Sequence, residues 1–276
     1  MITINKLIAN SINITTGPKL VEPLCFTAKE AGSTVKMVAE GEAPTVSLEY
    51  STDGNTWSPF VVSKKGVEGT TVTLANIGDK MYIRATGVGN TRMGSSSIDN
   101  NKFETKGKIA ASGNVDTLLD QNGNATLTSY CYSYLFSRAN LTTAPELPAT
   151  TLAEGCYYGM FSTCESLTTA PELPATTLAN KCYFNMFNGC TSLTSSPELP
   201  ATELFEGCYS YMFNGCTNLN TIKLGYIGNF ANAPSLAFKN WVYGVASTGT
   251  FYYNGSDTKI GISAIPTGWT VTPFTA

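Results

Sequence analysis

Leu141-Thr-Thr-Ala-Pro-Glu-Leu-Pro-Ala-Thr-Thr-Leu152 returns as Leu167-Thr-Thr-Ala-Pro-Glu-Leu-Pro-Ala-Thr-Thr-Leu178, and again, slightly altered, as Leu193-Thr-Ser-Ser-Pro-Glu-Leu-Pro-Ala-Thr-Glu-Leu204. Between the copies lie Cys156-Tyr-Tyr-Gly-Met-Phe161, Cys182-Tyr-Phe-Asn-Met-Phe187 and Cys208-Tyr-Ser-Tyr-Met-Phe213, a step of 26 residues each time. An earlier copy, from Leu127 to Cys131-Tyr-Ser-Tyr-Leu-Phe136, sits 25 residues upstream and lacks the second cysteine. Ile222-Lys-Leu224 reads as the last, degraded unit. Self-similarity at a fixed period is the sequence signature of stacked repeats.

Each unit divides by physical character. Leu152, Cys156, Met160 and Cys164 are spaced by four, and Tyr157 and Phe161 share that spacing. The spacing predicts one apolar stripe on a short helix or helix-like turn. The Leu-Thr-Thr-Ala-Pro-Glu-Leu-Pro part predicts a short extended segment, because its paired prolines forbid a long helix. One unit cannot bury its stripe alone. Stacked units can, with Leu on Leu, Phe on Phe and Cys on Cys about 4.8 Å apart along a parallel sheet.

Phe161-Ser-Thr-Cys-Glu-Ser-Leu167, Phe187-Asn-Gly-Cys-Thr-Ser-Leu193 and Phe213-Asn-Gly-Cys-Thr-Asn-Leu219 recur in phase with the Leu-Pro corner. This pattern resembles the Phe-x-x-Cys-x-x-Leu core of the BspA-like leucine-rich repeats, over about residues 125–225. Units of that family are often a little shorter, so the extra residues per turn are a departure. The resemblance implies adhesion and the recognition of proteins or glycans, on surface proteins of gut bacteria and in their phages. Such a likeness supports a class of function and not a ligand.

The fold expected is mainly β with short helices: a leucine-rich-repeat solenoid, a small N-terminal β-sandwich and a β-rich C-terminal cap. Residues 1–18 alternate and are uncapped, which predicts an arm ordered by a partner. Residues 19–88 hold about six short alternating runs separated by Gly, Asp, Asn and Ser clusters, as in a small sandwich of immunoglobulin-like type. Within them, Ser51-Thr-Asp-Gly-Asn-Thr-Trp57 resembles the Asp-box turn of sialidases, one residue short. Asp53 and Gly54 are expected to make a hairpin turn there, with Trp57 packed below. Residues 89–124 read as a polar linker ending in a cap at Val115-Asp-Thr-Leu-Leu119. The solenoid is expected over residues 125–230 and the β-rich cap over residues 231–276.

Composition narrows function. Charged residues are 13% of the chain and the net charge is −3, against about 25% charged residues in an average soluble protein. With no Lys/Arg run there is no electrostatic footprint for phosphate backbones, so nucleic acid is not an expected partner. The chain has no histidine, which excludes Ser-His-Asp and Cys-His nucleophile pairs and the His-Glu-x-x-His zinc site. Only carboxylate chemistry remains, and no carboxylate pair is singled out by spacing; no enzyme and no cofactor are expected. No run of about 18 apolar residues exists to insert in a membrane. Met1-Ile-Thr-Ile-Asn-Lys-Leu-Ile-Ala-Asn10 lacks the features of a signal peptide, so export by the secretory route is not expected.

Three sets of residues are candidates for chemistry or contact. Cys131, Cys156, Cys182 and Cys208 form one column and Cys164, Cys190 and Cys216 another. Disulfides between in-register neighbours would be strained, and no set of four converging zinc ligands is present. Small buried hydrophobes are the plain reading, with no metal. Glu146, Glu172 and Glu198 stack as like charges, screened either by solvent or by a cation or basic partner. Last come the positions that vary between units: Ser133 and Tyr134, Tyr158 and Gly159, Phe184 and Asn185, Ser210 and Tyr211, with Glu154, Asn180 and Glu206 nearby. Drift is expected there in any solenoid. Each unit nevertheless keeps one aromatic, and exposed aromatics stack on sugars or dock a protein. The candidate ligand contacts are thus Tyr134, Tyr158, Phe184, Asn185 and Tyr211, with Glu146, Glu172 and Glu198.

These features lead to the expectation of a phage virion appendage, a tail or head fibre or receptor-binding protein. Its N-terminal region would meet other virion proteins and its repeats a host surface glycan or protein. A homotrimer is expected from that class alone, and the virion surface is the expected location. A bacterial cell-surface adhesin is the alternative.

Overall fold

Alternation of apolar and polar residues builds the first part of the chain. The computed structural model describes residues 21–87, 89–255 and 259–273; the arm expected at 1–18 lies outside them. Strands β1 (Leu24–Ala28), β3 (Leu48–Ser51), β4 (Ser58–Phe60), β6 (Lys80–Ala85) and β8 (Ile109–Ser112) form one antiparallel set in the order β4-β3-β6-β1-β8. Strands β2 (Ser33–Glu40), β5 (Thr71–Leu74) and β7 (Asn100–Lys106) form a second sheet, ordered β5-β2-β7. In β2, Ser33, Val35 and Met37 turn inward while Thr34 and Lys36 stay half-exposed, the period of two that a half-buried strand requires. Phe26 of β1 meets Phe103 of β7 edge-on, with ring centroids 4.8 Å apart. Residues 89–124 were expected as linker and cap, but their stretch 100–112 is β7 and β8. The polar alternation Asn-Asn-Lys-Phe-Glu-Thr-Lys hides a strand whose inward residues are Asn100, Asn101 and Phe103.

The Ser51–Trp57 turn is as expected. The Asp53 carboxylate accepts the backbone N–H groups of Asn55 and Thr56 at 2.8 and 2.7 Å and the Ser51 hydroxyl at 2.8 Å. These bonds hold its pKa well below the usual carboxylate range. Trp57 lies under the Arg84 guanidinium, 3.7 Å from its ring centroid.

The first sheet does not stop at β8. Its sixth strand, β9 (Leu141–Thr143), runs parallel to β8 and belongs to the first repeat unit. Parallel bridges then join Thr143 to Thr169 and Thr151 to Thr177, one unit to the next. Further on, β10 (Ser195–Leu199), β11 (Thr221–Leu224), β12 (Thr250–Tyr253) and β13 (Thr270–Thr272) make an all-parallel sheet. Ile222-Lys-Leu224 is therefore not the last rung. The chain from 231 onward, expected only as a cap, adds two more strands in the same direction.

The helix expected in each unit is absent: no α-helix occurs among the described residues, only short 3-10 turns at Val115–Leu118 and Phe230–Asn232. In its place is a ribbon of consecutive turns with alternating hydrogen bonds. The N–H groups of Cys156, Tyr158, Met160, Ser162 and Cys164 donate three residues back within the unit. Those of Gly155, Tyr157, Gly159, Phe161 and Thr163 donate to the next unit. Every backbone N–H in this buried stretch is thereby satisfied, as burial demands. The ribbon places every fourth residue in the left-handed region: Gly155, Gly159 and Thr163, then Lys181, Asn185 and Gly189, then Gly207, Tyr211 and Gly215. Leu236, Asn240 and Gly244 continue the series past the last recognisable copy. A helix would drift about 40° for every four residues, at 100° per residue, whereas this ribbon keeps its period-four stripe inside.

The core is one connected body across all the sheets. Phe136, Phe161, Phe187 and Phe213 stack at 5.4, 5.6 and 5.8 Å, within 5° of parallel. Phe103 of the sandwich adds a rung, 5.4 Å from Phe136, and Trp241 closes the other end. A second buried column runs through Tyr132, Tyr157, Tyr183 and Tyr209 at 5.9 to 6.0 Å. The sandwich thus covers the end of the stack with its own aromatic ring.

Candidate functional site

The ribbon carries the variable aromatics to one side. Tyr134, Tyr158, Phe184 and Tyr211 form a continuous half-buried row. Centroids are 5.5 Å apart for Tyr134–Tyr158, 4.6 Å for Tyr158–Phe184 and 5.5 Å for Phe184–Tyr211. Tyr130 joins at 6.1 Å from Tyr158, and the Lys239 ammonium lies 5.6 Å from the Tyr211 centroid at the far end. Four of the expected contact residues are therefore brought together. Asn185 is half-buried, on the ribbon next to Phe184. Ser133 and Ser210, grouped with them by variability, are instead buried, their hydroxyls donating to the carbonyls of Ser96 and Leu236 at 2.8 and 2.6 Å.

This geometry decides how the row can bind. A sugar stacks on an open aromatic face, yet Tyr158 and Phe184 cover each other at an interplanar angle of 12°. Elsewhere along the row the rings are tilted, by 58° at Tyr134–Tyr158 and by 54° at Phe184–Tyr211. Burial, with the neighbouring Tyr134 and Tyr130, pushes the Tyr158 phenol up to about 12, so at neutral pH it is an uncharged donor and acceptor. The row suits hydrogen bonding to a ligand laid along it.

Gly159 lets the row form. At φ +58° its added Cβ would sit 2.4 Å from the Tyr134 ring, whereas at Gly189 (φ +74°) the nearest atom is 3.6 Å away. Gly159→Ala is expected to lower stability by about 1–3 kcal/mol through backbone strain and the displaced ring. Gly189→Ala carries only the strain and is expected to cost about 1 kcal/mol. Thermal denaturation of the two variants reads the difference, and equal losses would contradict the packing at Tyr134.

Glu146, Glu172 and Glu198 are exposed, on a different stretch of each unit. Prolines flank them and form two similar clefts. One of about 470 Å³ lies between Pro145, Pro148, Pro171 and Pro174, and one of about 480 Å³ between Pro171, Pro174, Pro197 and Pro200. In the strand register Asn114 pairs with Glu146 and Lys223 with Glu198. The chain thus places a base of its own beside the last of the column. The glutamates and the aromatic row do not share a site.

The eight cysteines are free and buried. Cys164, Cys190 and Cys216 donate S–H bonds to the carbonyls of Phe136, Phe161 and Phe187 at 3.0, 3.1 and 3.0 Å. Burial pushes the thiols up, Cys164 and Cys216 to about 12, which keeps them protonated at neutral pH. Among the described residues no group of three His, Cys, Asp or Glu side chains could hold a metal. No helix there is long and apolar enough to cross a membrane.

One residue escaped the sequence reading. Asp116 is 3% exposed and lines a cleft between the 123–127 turn and the 148–153 loop. The only signal was its position as the lone charge in the apolar run Val115-Asp-Thr-Leu-Leu119.

The chain matches no family model, no curated protein and no solved structure.

Proposed function

We propose that this chain is a non-catalytic virion appendage of a phage, a tail or head fibre or receptor-binding protein, whose stacked units are a leucine-rich-repeat solenoid of BspA-like type. One observation carries the reading. The repeats put Tyr134, Tyr158, Phe184 and Tyr211 into a single half-buried row, an extended aromatic surface suited to a host glycan or protein. The sequence has no histidine, so imidazole-based catalytic arrangements are not open to it. In this reading the N-terminal region joins other virion proteins, three copies assemble, and the protein works at the virion surface. A bacterial cell-surface adhesin with the same repeats is the alternative.

Mass photometry of the full-length protein and imaging of particles labelled against it test the proposal. A stable trimer on virus particles is the expected result, with Tyr158→Ala and Tyr211→Ala lowering attachment to host cells at unchanged assembly. A monomer found only on bacterial envelopes would overturn it and leave the adhesin.

A further inference from the structure

Where the sandwich meets the first repeat unit, the turn Val115–Leu118 buries a carboxylate that the fold has no evident use for. The turn is capped by Asn114, whose side chain accepts the Asp116 N–H at 2.7 Å. The Asp116 carboxylate accepts one hydrogen bond, from the Tyr132 hydroxyl at 2.7 Å, and an asparagine oxygen would accept that bond equally well. No lysine or arginine pairs with Asp116 among the described residues. The next rung of the tyrosine column, Tyr157, stacks 5.9 Å from Tyr132, and its hydroxyl is buried without a partner. One buried hydroxyl is thus left without a partner, one rung from a buried carboxylate that has a single one. Native proteins rarely tolerate this without a reason.

Asp116 forms part of the wall of a cleft of about 370 Å³ between the 123–127 turn and the 148–153 loop. Ala125, Leu127, Pro148 and Leu152 give it apolar walls, and Thr126 and Thr150 add hydroxyls. A buried, unpaired carboxylate is best satisfied by a ligand that brings both positive charge and N–H donors. A primary ammonium carries three donors, one for the Asp116 carboxylate and others for the Thr126 and Thr150 hydroxyls of the cleft wall. A divalent cation is a poor fit, because it takes six or more oxygen ligands or demands several carboxylates.

We propose that this cleft binds a small primary amine on a compact carbon frame, of which an amino sugar with a free amine is the surface-borne example, with Asp116 as its counter-ion. The inference stands independently of the virion reading. Burial pushes the Asp116 carboxyl up to about 6, and the titratable groups facing it are Tyr132, Tyr157 and Cys131, all pushed up by burial. Binding should therefore weaken about tenfold for each pH unit below about 6, as the carboxylate is protonated.

Calorimetric titration and thermal-shift measurement of the full-length protein with glucosamine, N-acetylglucosamine and ethanolamine test this. Glucosamine and ethanolamine are expected to bind and raise the melting temperature at pH 7.5, with N-acetylglucosamine inert. Asp116→Asn should reduce amine binding at least tenfold. Ala125→Phe, which narrows the cleft from its apolar wall and leaves Asp116 in place, should do the same and serves if the first variant folds poorly. Binding by glucosamine but not ethanolamine would assign the site to amino sugars, and binding by both to amines in general. Equal binding of N-acetylglucosamine, amine binding unchanged in both variants, or no amine binding at all would overturn the proposal.

Discussion

Phe187→Ala is expected to lower the free energy of unfolding by about 3–5 kcal/mol, the range for removing a buried aromatic ring. Phe187 is fully buried and stacks on Phe161 at 5.6 Å and on Phe213 at 5.8 Å. Its N–H donates to Met212 and its carbonyl accepts the Cys216 thiol. Truncation leaves a ring-sized void in the middle of a column and touches both neighbouring units. Stability in stacked repeats is close to a sum of units and their interfaces, so the lesion should also loosen coupling between the two ends. Denaturant unfolding followed by far-UV dichroism and tryptophan fluorescence reads both effects, since Trp57 reports on the sandwich and Trp241 and Trp269 on the other end. The expected result is an earlier transition that no longer coincides between probes. Phe184→Ala, in the half-buried outer row, is expected to cost only about 1 kcal/mol. A Phe187 variant losing no more than that would contradict the inner column.

A second large effect is expected from pH. Asp116 lies at about 6 in the folded protein against an ordinary 3.8, because burial disfavours its charged form. The folded state therefore holds this proton more tightly than the unfolded state. Its contribution is fully present below about pH 4 and is lost as pH rises through 6. The loss amounts to about 3 kcal/mol, at about 1.4 kcal/mol for each pH unit between the two values. Asp53 and Asp99, both lowered by hydrogen bonds, act in the opposite direction, so the whole-protein profile mixes the two. The difference between wild type and Asp116→Asn isolates the buried group. The variant is expected to be the more stable at pH 7, with the advantage fading between pH 6 and 4. A difference that stays flat over that window would show that Asp116 is not buried as a charge.

Stacking like on like was written in the chain itself. A 26-residue step that returns Leu to Leu, Cys to Cys and Phe to Phe leaves each apolar stripe only its own copy to cover it, and the parallel bridges and aromatic columns follow. The alternation of the N-terminal strands and the Asp53 turn were legible for the same reason: the information is local. The aromatic row was half legible. Its members could be named, but their spacing and mutual covering depend on how the backbone turns.

What the tertiary structure alone decided is non-local. A stripe spaced by four fits a helix nearly as well as a turn ribbon. Hydrogen bonds from one unit to the next, with a left-handed residue at every fourth position, settle it for the ribbon. Gly155 and Gly159, Asn185 and Gly189, each four apart, and Gly207 and Gly215, eight apart, were the available hint. Phe103 as a rung of the Phe column and the two parallel strands beyond residue 231 carry no copy of the repeat, so no period could reveal them. Asp116 is the extreme case. Its burial, its Tyr132 partner and its cleft come from three segments distant in sequence, and only their packing makes a lone aspartate a site.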